Sequence, residues 1–286
     1  MSDYQKKGFL TEDFRLFHLR SDGRTRPEFH YHEFYKVLLL VSGSGSYTVD
    51  GCRYAVQSGD IILVGSHSVH RPEFEPGAAY ERIILYISPD FLRRSGVPDC
   101  DLTECFRDPG GHVLRAGESE RKQLFAMAAG LERELGEEEY GHTILCAGAV
   151  LGLLVQIGRS LRRGDIPRLG PQTPGNERVA DIVRYIDRHL TEDLSIDDLA
   201  ERFYLSKYHL MRLFRRETGS TIHGYLTGRR LALARELMAG GMSATDACFR
   251  SGFRSYCSFT RAYGKRFGST PTGRRDAAAL AEETYE

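Results

Sequence analysis

Residues 243–275, reading SATDACFRSGFRSYCSFTRAYGKRFGSTPTGRR, leave the chain few choices of fold. Ser243 followed by Asp246 is a capping-box pattern that starts a helix. Gly252 can supply the positive φ that closes that helix near Ser251. A second helix is expected to restart around Arg254 or Ser255. Its apolar positions Phe259, Tyr263 and Phe267 recur every fourth residue and share one face. The other face carries Tyr256, Cys257, Thr260 and Arg261, with Lys265 and Arg266 following. A helix, a glycine turn and a polar, basic second helix form the pattern of a helix-turn-helix that enters a major groove. A purely structural helical hairpin would share it.

A second such pattern lies about 50 residues earlier. Residues 177–190 are amphipathic, with Val179, Ile182, Val183, Ile186 and Leu190 on one face. Ser195 followed by Asp198 opens a short helix that turns Leu199, Ala200 and Phe203 inward. Ser206 caps the next helix, whose buried side is Leu210, Leu213 and Phe214. Tyr208, Met211, Arg212 and Arg215 are left outward. One longer helix, 222–238, joins the two patterns, with Tyr225, Leu226, Leu233 and Leu237 expected inside. At about 17 residues it is roughly 25 Å long. That can hold two recognition helices near one DNA turn, roughly 34 Å, apart.

Gly252-Phe253, Ser258-Phe259, Arg261, Tyr263, Lys265, Phe267-Gly268 and Pro271 resemble the signature of the AraC/XylS family of bacterial transcription regulators. SIDDLAERFYLSKYHLMRLFRRETGSTIHGYLTGRRLALARELM resembles the same family, in its order and spacing. Ala244 and Ala247 depart from it, standing where the family usually has isoleucine. So does Gly264, which costs roughly 1 kcal/mol against alanine in mid-helix. The resemblance implies Tyr208, Met211 and Arg212 as base readers in the first unit. It implies Tyr256, Cys257 and Arg261 in the second, with Arg254 and Thr260 nearby. Arginine can pair bidentately with guanine, while Tyr, Met and Cys offer apolar contact, for example to a thymine methyl. Ser206, Lys207, Ser255 and the helix N-termini suit phosphate.

Charge agrees with this division. Residues 177–275 hold 18 Lys and Arg against 11 Asp and Glu, whereas residues 1–176 hold 21 against 24. The basic block suggests a polyanion partner for that half alone. The six cysteines have no paired close spacing and read as free thiols in a reducing cytoplasm. No run of about 18 apolar residues is present, so no membrane span is expected. The opening residues MSDYQKKGFLTEDF lack the apolar stretch of a signal peptide, and a cytoplasmic location is expected.

Residues 14–88 read as short strands with turn punctuation, as in a small barrel or jelly roll. Segment 36–41 is apolar enough to be buried on both faces. Residues 43–45 turn the chain, and Asp50-Gly51 between 46–49 and 52–56 is a type I′ hairpin signal. Strands follow at 61–64 and 81–87, the latter stopped by Pro89. His30-x-His32-x-x-x-Lys36, then Gly43, is similar to the first cupin motif. Gly59 with His70 is similar to the second. In metal-binding cupins three histidines and a glutamate form the site. Here His30, His32 and His70 match the histidines, but Lys36 stands at the glutamate position. Gly65 and His67 also replace the usual proline and glycine. An ammonium does not ligate a cation and repels a dication, so neither metal nor cofactor is expected. Alternation would put His30, His32 and Lys36 on one side of one strand. Facing the barrel interior, they would form an effector site for a small polar molecule, a sugar or an organic anion. Their other use is as satisfied barrel residues.

Residues 120–135 and about 140–163 read as two helices, with Leu124, Phe125, Ala128, Leu131 and Leu135 along the first. The second carries Ile144, Leu145, Val150, Leu151, Leu154, Val155 and Leu161. The family resemblance implies dimerisation through such helices, and packing within the domain is the other use of the stripe. PRLGPQTPG then marks a linker.

The expected fold class is therefore α+β and multidomain. A cupin-like sensing barrel spans 1–117, a helical hairpin 118–163, and a linker 164–176. A DNA-binding domain spans 177–276, with helix-turn-helix units at 195–217 and 243–267, and a tail fills 277–286. The expected function is effector-responsive, sequence-specific transcription regulation, with activation the family's commoner mode. The expected partners are double-stranded promoter DNA, a small effector, a second copy of the chain and RNA polymerase. The rival reading is a cupin enzyme with an accessory DNA-binding domain, against which Lys36 argues. A constitutive DNA binder with a ligandless barrel is the third.

Overall fold

The structure, a computed structural model, describes residues 10, 12–22, 29–75, 77–107, 111–137, 139–170 and 177–272. The PQTPG part of the expected linker, the last residues of the expected DNA-binding domain and the tail lie outside the described residues. The chain divides into two compact units, Met1–Asn176 and Glu177–Glu286.

The first unit runs β1 (Phe14–Ser21), β2 (Tyr35–Ser42), β3 (Ser44–Val49), β4 (Cys52–Gln57), β5 (Asp60–Val64), β6 (His70–Phe74) and β7 (Tyr80–Ile87). It continues through α1 (Pro89–Ser95), α2 (Glu104–Arg107), β8 (Val113–Arg115), α3 (Glu118–Leu135) and α4 (His142–Arg163). The strands form two antiparallel sheets, ordered β1-β7-β2-β5-β8 and β4-β3-β6. The period of two in a strand explains why β2 is buried on both faces. Val37 and Leu39 join the core shared with α3 and α4. Leu38 and Leu40 join a second core with Tyr47 and Tyr54 of the smaller sheet. Lys36 has the parity of Leu38, so its charged side chain enters this second core and is buried. Asp50 and Gly51 take φ of 46° and 81°, as a type I′ turn requires.

Four features differ from the sequence expectation. First, His30, His32 and Lys36 do not share one strand. His30 bridges to His70 of the smaller sheet, while Lys36 pairs with Val64 and Tyr86 of the larger one. The chain crosses between sheets over residues 31–34, so simple alternation does not apply. Second, β6, β8, α1 and α2 were not legible. β6 contains Pro72, which is tolerated because β6 is an edge strand. Third, only Gly43 turns the chain, and Gly45 already pairs with Val56 and Phe74. Fourth, α4 starts at His142, and the apolar Ile144 and Leu145 on its first turns are 77% and 58% exposed.

Cys146, Val150, Leu153, Leu154 and Ile157 of α4 pack with Leu124, Ala128 and Leu131 of α3 onto the larger sheet. By length and composition α4 could cross a membrane, its most apolar 18-residue window having a mean hydropathy of 1.8. Its buried face is that of a helix laid on a sheet.

The second unit contains α5 (Glu177–Arg188), α6 (Ile196–Arg202), α7 (Lys207–Thr218), α8 (Ile222–Ala239), α9 (Ala244–Arg250) and α10 (Tyr256–Phe267). Ser195, Ser206, Thr221, Ser243 and Ser255 each cap a helix by accepting a backbone N–H three residues on. Both Ser195 Oγ and Ser243 Oγ donate to the aspartate three residues on at 2.6 Å, and the Ser195 backbone N–H also donates to Asp198 Oδ2 at 3.3 Å, which makes that box reciprocal. α5 buries Val179, Ile182, Val183 and Ile186. On α8 the buried leucines are Leu226 and Leu231, and the expected Leu233 and Leu237 are half-buried. α10 runs unbroken through Gly264.

Candidate DNA-binding surface and barrel interior

α6 and α7 form the first helix-turn-helix, α9 and α10 the second. In α7, burial of Leu210, Leu213 and Phe214 forces the opposite face outward. There Tyr208 is 84% exposed, and Met211 and Arg212 also lie in solvent. Lys207 pairs with Asp197 of α6. Ser206 spends its hydroxyl oxygen on the His209 N–H at 3.3 Å. In α10, Phe259 and Tyr263 are buried, and Cys257 and Arg261 are exposed. Tyr256 is half-buried, its ring 5.9 Å from that of Phe259. The Thr260 hydroxyl donates to the Tyr256 carbonyl at 2.8 Å, so it is used within the helix. Arg254 pairs with Asp193, and Ser255 accepts the Ser258 N–H at 3.4 Å.

Asp193 and Asp197 were not singled out from the sequence, and neither was Arg230. Arg230 Nε donates to Leu190 O at 2.9 Å and Nη2 to Glu192 O at 2.7 Å. Burial holds its guanidinium below the usual arginine range. Tyr204 was also missed. It follows α6 as Gly252 follows α9, takes a φ of 53°, and is 94% exposed. Laying the two turns side by side reveals it, because both follow an arginine-terminated helix by two residues.

In the barrel interior His30, His32, Lys36 and His70 come together although they arrive from different strands and loops. The His70 ring lies 4.3 Å from His30 and 4.7 Å from His32, centroid to centroid. Lys36 Nζ donates to Tyr47 Oη at 2.9 Å and lies 3.5 Å from His70 Nε2. His32 Nδ1 is 2.9 Å from the Phe34 carbonyl, and His70 Nδ1 is 3.0 Å from that of Ser68. Carbonyls only accept, so both Nδ1 atoms carry the proton and both Nε2 atoms are lone-pair acceptors. Burial, and then the Lys36 ammonium, push both imidazoles well below the usual histidine range. They are neutral at pH 7. His32 Nε2 is buried and has no hydrogen-bond partner among the described residues. Leaving such an atom unpaired costs about 1–3 kcal/mol, which a hydroxyl donated by a ligand would recover. The ammonium beside His70 Nε2 disfavours a cation there. Among the described residues no group of three or more His, Cys, Asp or Glu could hold a metal ion.

Residues 13–153 match the family model of the AraC-like ligand binding domain, and residues 199–277 match that of a helix-turn-helix domain. The HTH-type transcriptional activator RhaS of Escherichia coli O139:H28 is 26% identical over 247 residues, covering 86% of each chain. RhaS of Shigella sonnei is 25% identical over the same length. The crystal structure of ToxT from Vibrio cholerae O395 bound to (E)-4-(8-methylnaphthalen-1-yl)but-3-enoic acid aligns with 91% of this chain and 97% of its own. That alignment has 14% identity and a TM-score of 0.38.

Proposed function

Because this chain belongs to the AraC family of transcription regulators, with a ligand-binding and a helix-turn-helix DNA-binding domain, we propose that it is an effector-responsive activator gripping two successive major grooves. The observation that carries this reading is the pairing of α7 and α10 across α8. Each presents an exposed polar face while its opposite face is buried. The 18 residues of α8 span about 27 Å, near the roughly 34 Å of one DNA turn.

On this reading Arg212 and Arg261 read bases, with Tyr208, Met211 and Cys257 making apolar contacts. Tyr256 and Thr260 lie at the margin of the second reading face. Lys207 and Arg254 exchange their carboxylate partners for phosphate, assisted by the helix N-termini that Ser206 and Ser255 cap. The two reading helices differ in sequence, so the half-site is not palindromic. The effector is a small polar molecule, a sugar or an organic anion, held by His30, His32, Lys36 and His70. Exposed Tyr140, Ile144 and Leu145 suit pairing with a second copy of the chain. The chain works in the cytoplasm, contacts RNA polymerase at the promoter, and catalyses no reaction. The Lys36 ammonium beside His70 argues against a metal-dependent cupin enzyme.

The test is titration of the full chain with promoter fragments from its own locus and with scrambled DNA, with and without sugars and small acids. A preference of at least about 10³-fold for one fragment is expected. Equal affinity for promoter and scrambled DNA would sink the regulator reading. A preference that no effector alters, in affinity or in transcription, would sink the sensing part alone.

A further inference from the structure

Outside the barrel interior, the first unit holds a cavity of about 580 Å³. One wall is the C-terminal half of α4, with Leu154, Val155, Gly158 and Leu161. The facing wall is the segment around α2, with Leu102 and Cys105. We propose that this cavity is a second ligand site, for a small amphiphilic organic monoanion.

Three observations lead there. The volume lies within the roughly 300–1,000 Å³ of small-molecule sites, and both walls are apolar, as such sites are. The rim is charged, with four arginines against three carboxylates. Arg107 pairs with Asp101 at 2.9 Å, and Arg162 pairs with Glu104. Burial pushes the Asp101 carboxyl up, but two hydrogen bonds from Thr103 and the Arg107 charge outweigh it and hold it low. That pair is therefore set. Arg168 donates to the carbonyls of Gly111 and Cys105. Arg159 is exposed and has no hydrogen-bond or ion-pair partner among the described residues. It is the group that would receive an anion. Asp99, the third carboxylate on the rim, disfavours a second negative charge on the ligand.

The place of the cavity gives occupancy a consequence. Arg168 belongs to the segment that leaves α4 toward the second unit, and its neighbours are bonded to β8. Arg115 N donates to Pro167 O at 3.2 Å, and Leu169 N to Val113 O at 2.8 Å. A ligand in the cavity therefore touches Arg168 of the segment that connects the units. This site is independent of the barrel histidines, and the inference stands or falls apart from them.

The test uses the full chain and the aromatic sulfonate 8-anilinonaphthalene-1-sulfonate, an amphiphilic monoanion, followed by fluorescence. A Cβ at Gly158 would meet nothing within 4 Å, so Gly158→Leu grows into the cavity without a clash. Gly148 on the same helix is equally open but does not line the cavity. Gly148→Leu is therefore the control. Arg159→Glu reverses the receiving charge at an exposed position. The unaltered chain should bind the dye saturably. Gly158→Leu and Arg159→Glu should each weaken binding by at least about tenfold, and Gly148→Leu should leave it unchanged. Unchanged affinity in either cavity variant, equal weakening in Gly148→Leu, or no saturable binding by the unaltered chain overturns the proposal.

Discussion

Arg230 of α8 reaches back to the turn that follows α5, its Nε 2.9 Å from the Leu190 carbonyl oxygen. The turn of the second helix-turn-helix sits on the same spot. A Cβ on Gly252 would lie 2.9 Å from that oxygen, from Arg230 Nε and from the Thr191 Cα. The segment entering the first reading unit thus seats the turn of the second, and α8 is not their only connection. Gly252→Ala would add a methyl against backbone and hold a φ of 93° that L-residues avoid. We expect it to destabilise the second unit by at least about 2 kcal/mol, read from the urea midpoint of the full chain. Arg230→Met keeps the stem and removes both carbonyl bonds. It should weaken binding to a two-groove site by at least about tenfold, or 1.4 kcal/mol. Binding to a site with one groove scrambled should change little. Equal losses on both DNAs would mean that Arg230 does not set the spacing.

Tyr204 holds in the first turn the conformation that glycine holds in the second, at a φ of 53°. Left-handed backbone costs a non-glycine residue roughly 1–2 kcal/mol, and glycine gives back roughly 0.5–1 kcal/mol through unfolded-state freedom. The ring is exposed and contributes little packing. Tyr204→Gly should therefore raise stability by up to about 1 kcal/mol, seen as a higher urea midpoint at unchanged slope. A loss of DNA affinity alongside the gain would mark Tyr204 as strained for function.

Lys207 and Arg254 are engaged by Asp197 and Asp193. Such exposed pairs are worth about 0.2–1 kcal/mol, so DNA phosphates displace them at modest cost. Asp193→Asn and Asp197→Asn should each tighten DNA binding by roughly two- to fivefold, irrespective of sequence. Lys207→Ala should weaken it uniformly and flatten the salt slope by about 1. Arg212→Ala should instead cost about 1–3 kcal/mol on the cognate site and relax base preference there. Equal loss on random DNA would make Arg212 a phosphate contact.

What could be read in advance follows a physical division. Helix starts announced themselves locally, because a serine three residues before a backbone N–H caps it whatever the rest of the fold does. Ser195, Ser206 and Ser243 are such cases. The Asp50-Gly51 turn is local in the same sense. The Asp193–Arg254 pair and the seat of Gly252 on Leu190 join residues distant in sequence, and no local pattern announces either. β6 was hidden because Pro72 reads as a strand breaker, and only the sheet order shows that its edge has room for proline. Tyr204 was hidden because a tyrosine does not advertise positive φ. The grouping of His30, His32, Lys36 and His70 was suggested by motif spacing. The alternation used to explain it does not hold, because residues 31–34 carry the chain from one sheet to the other.

The two buried imidazoles make stability depend on pH in a defined direction. His32 and His70 are both held well below the histidine range, first by burial and then by Lys36. In the unfolded chain each takes up a proton near the ordinary histidine pKa of about 6.5. In the folded chain neither does so until much lower pH. Above about pH 7 both states carry neutral imidazoles and these residues contribute no slope. As pH falls below about 6.5 the unfolded state gains protons the folded state lacks, and stability drops. Two such groups give a limiting slope of about 2.7 kcal/mol per pH unit, before carboxylates enter below about pH 5. Urea titrations of the full chain from pH 7.5 to 5 should show this loss in the transition of the first unit. Lys36→Met removes the charge but not the burial, so it should shrink the loss without abolishing it. His32→Gln should remove roughly half of the slope. A midpoint flat over that range would mean that the imidazoles protonate in the folded barrel, and the neutral-acceptor chemistry assigned to His32 would fail with it.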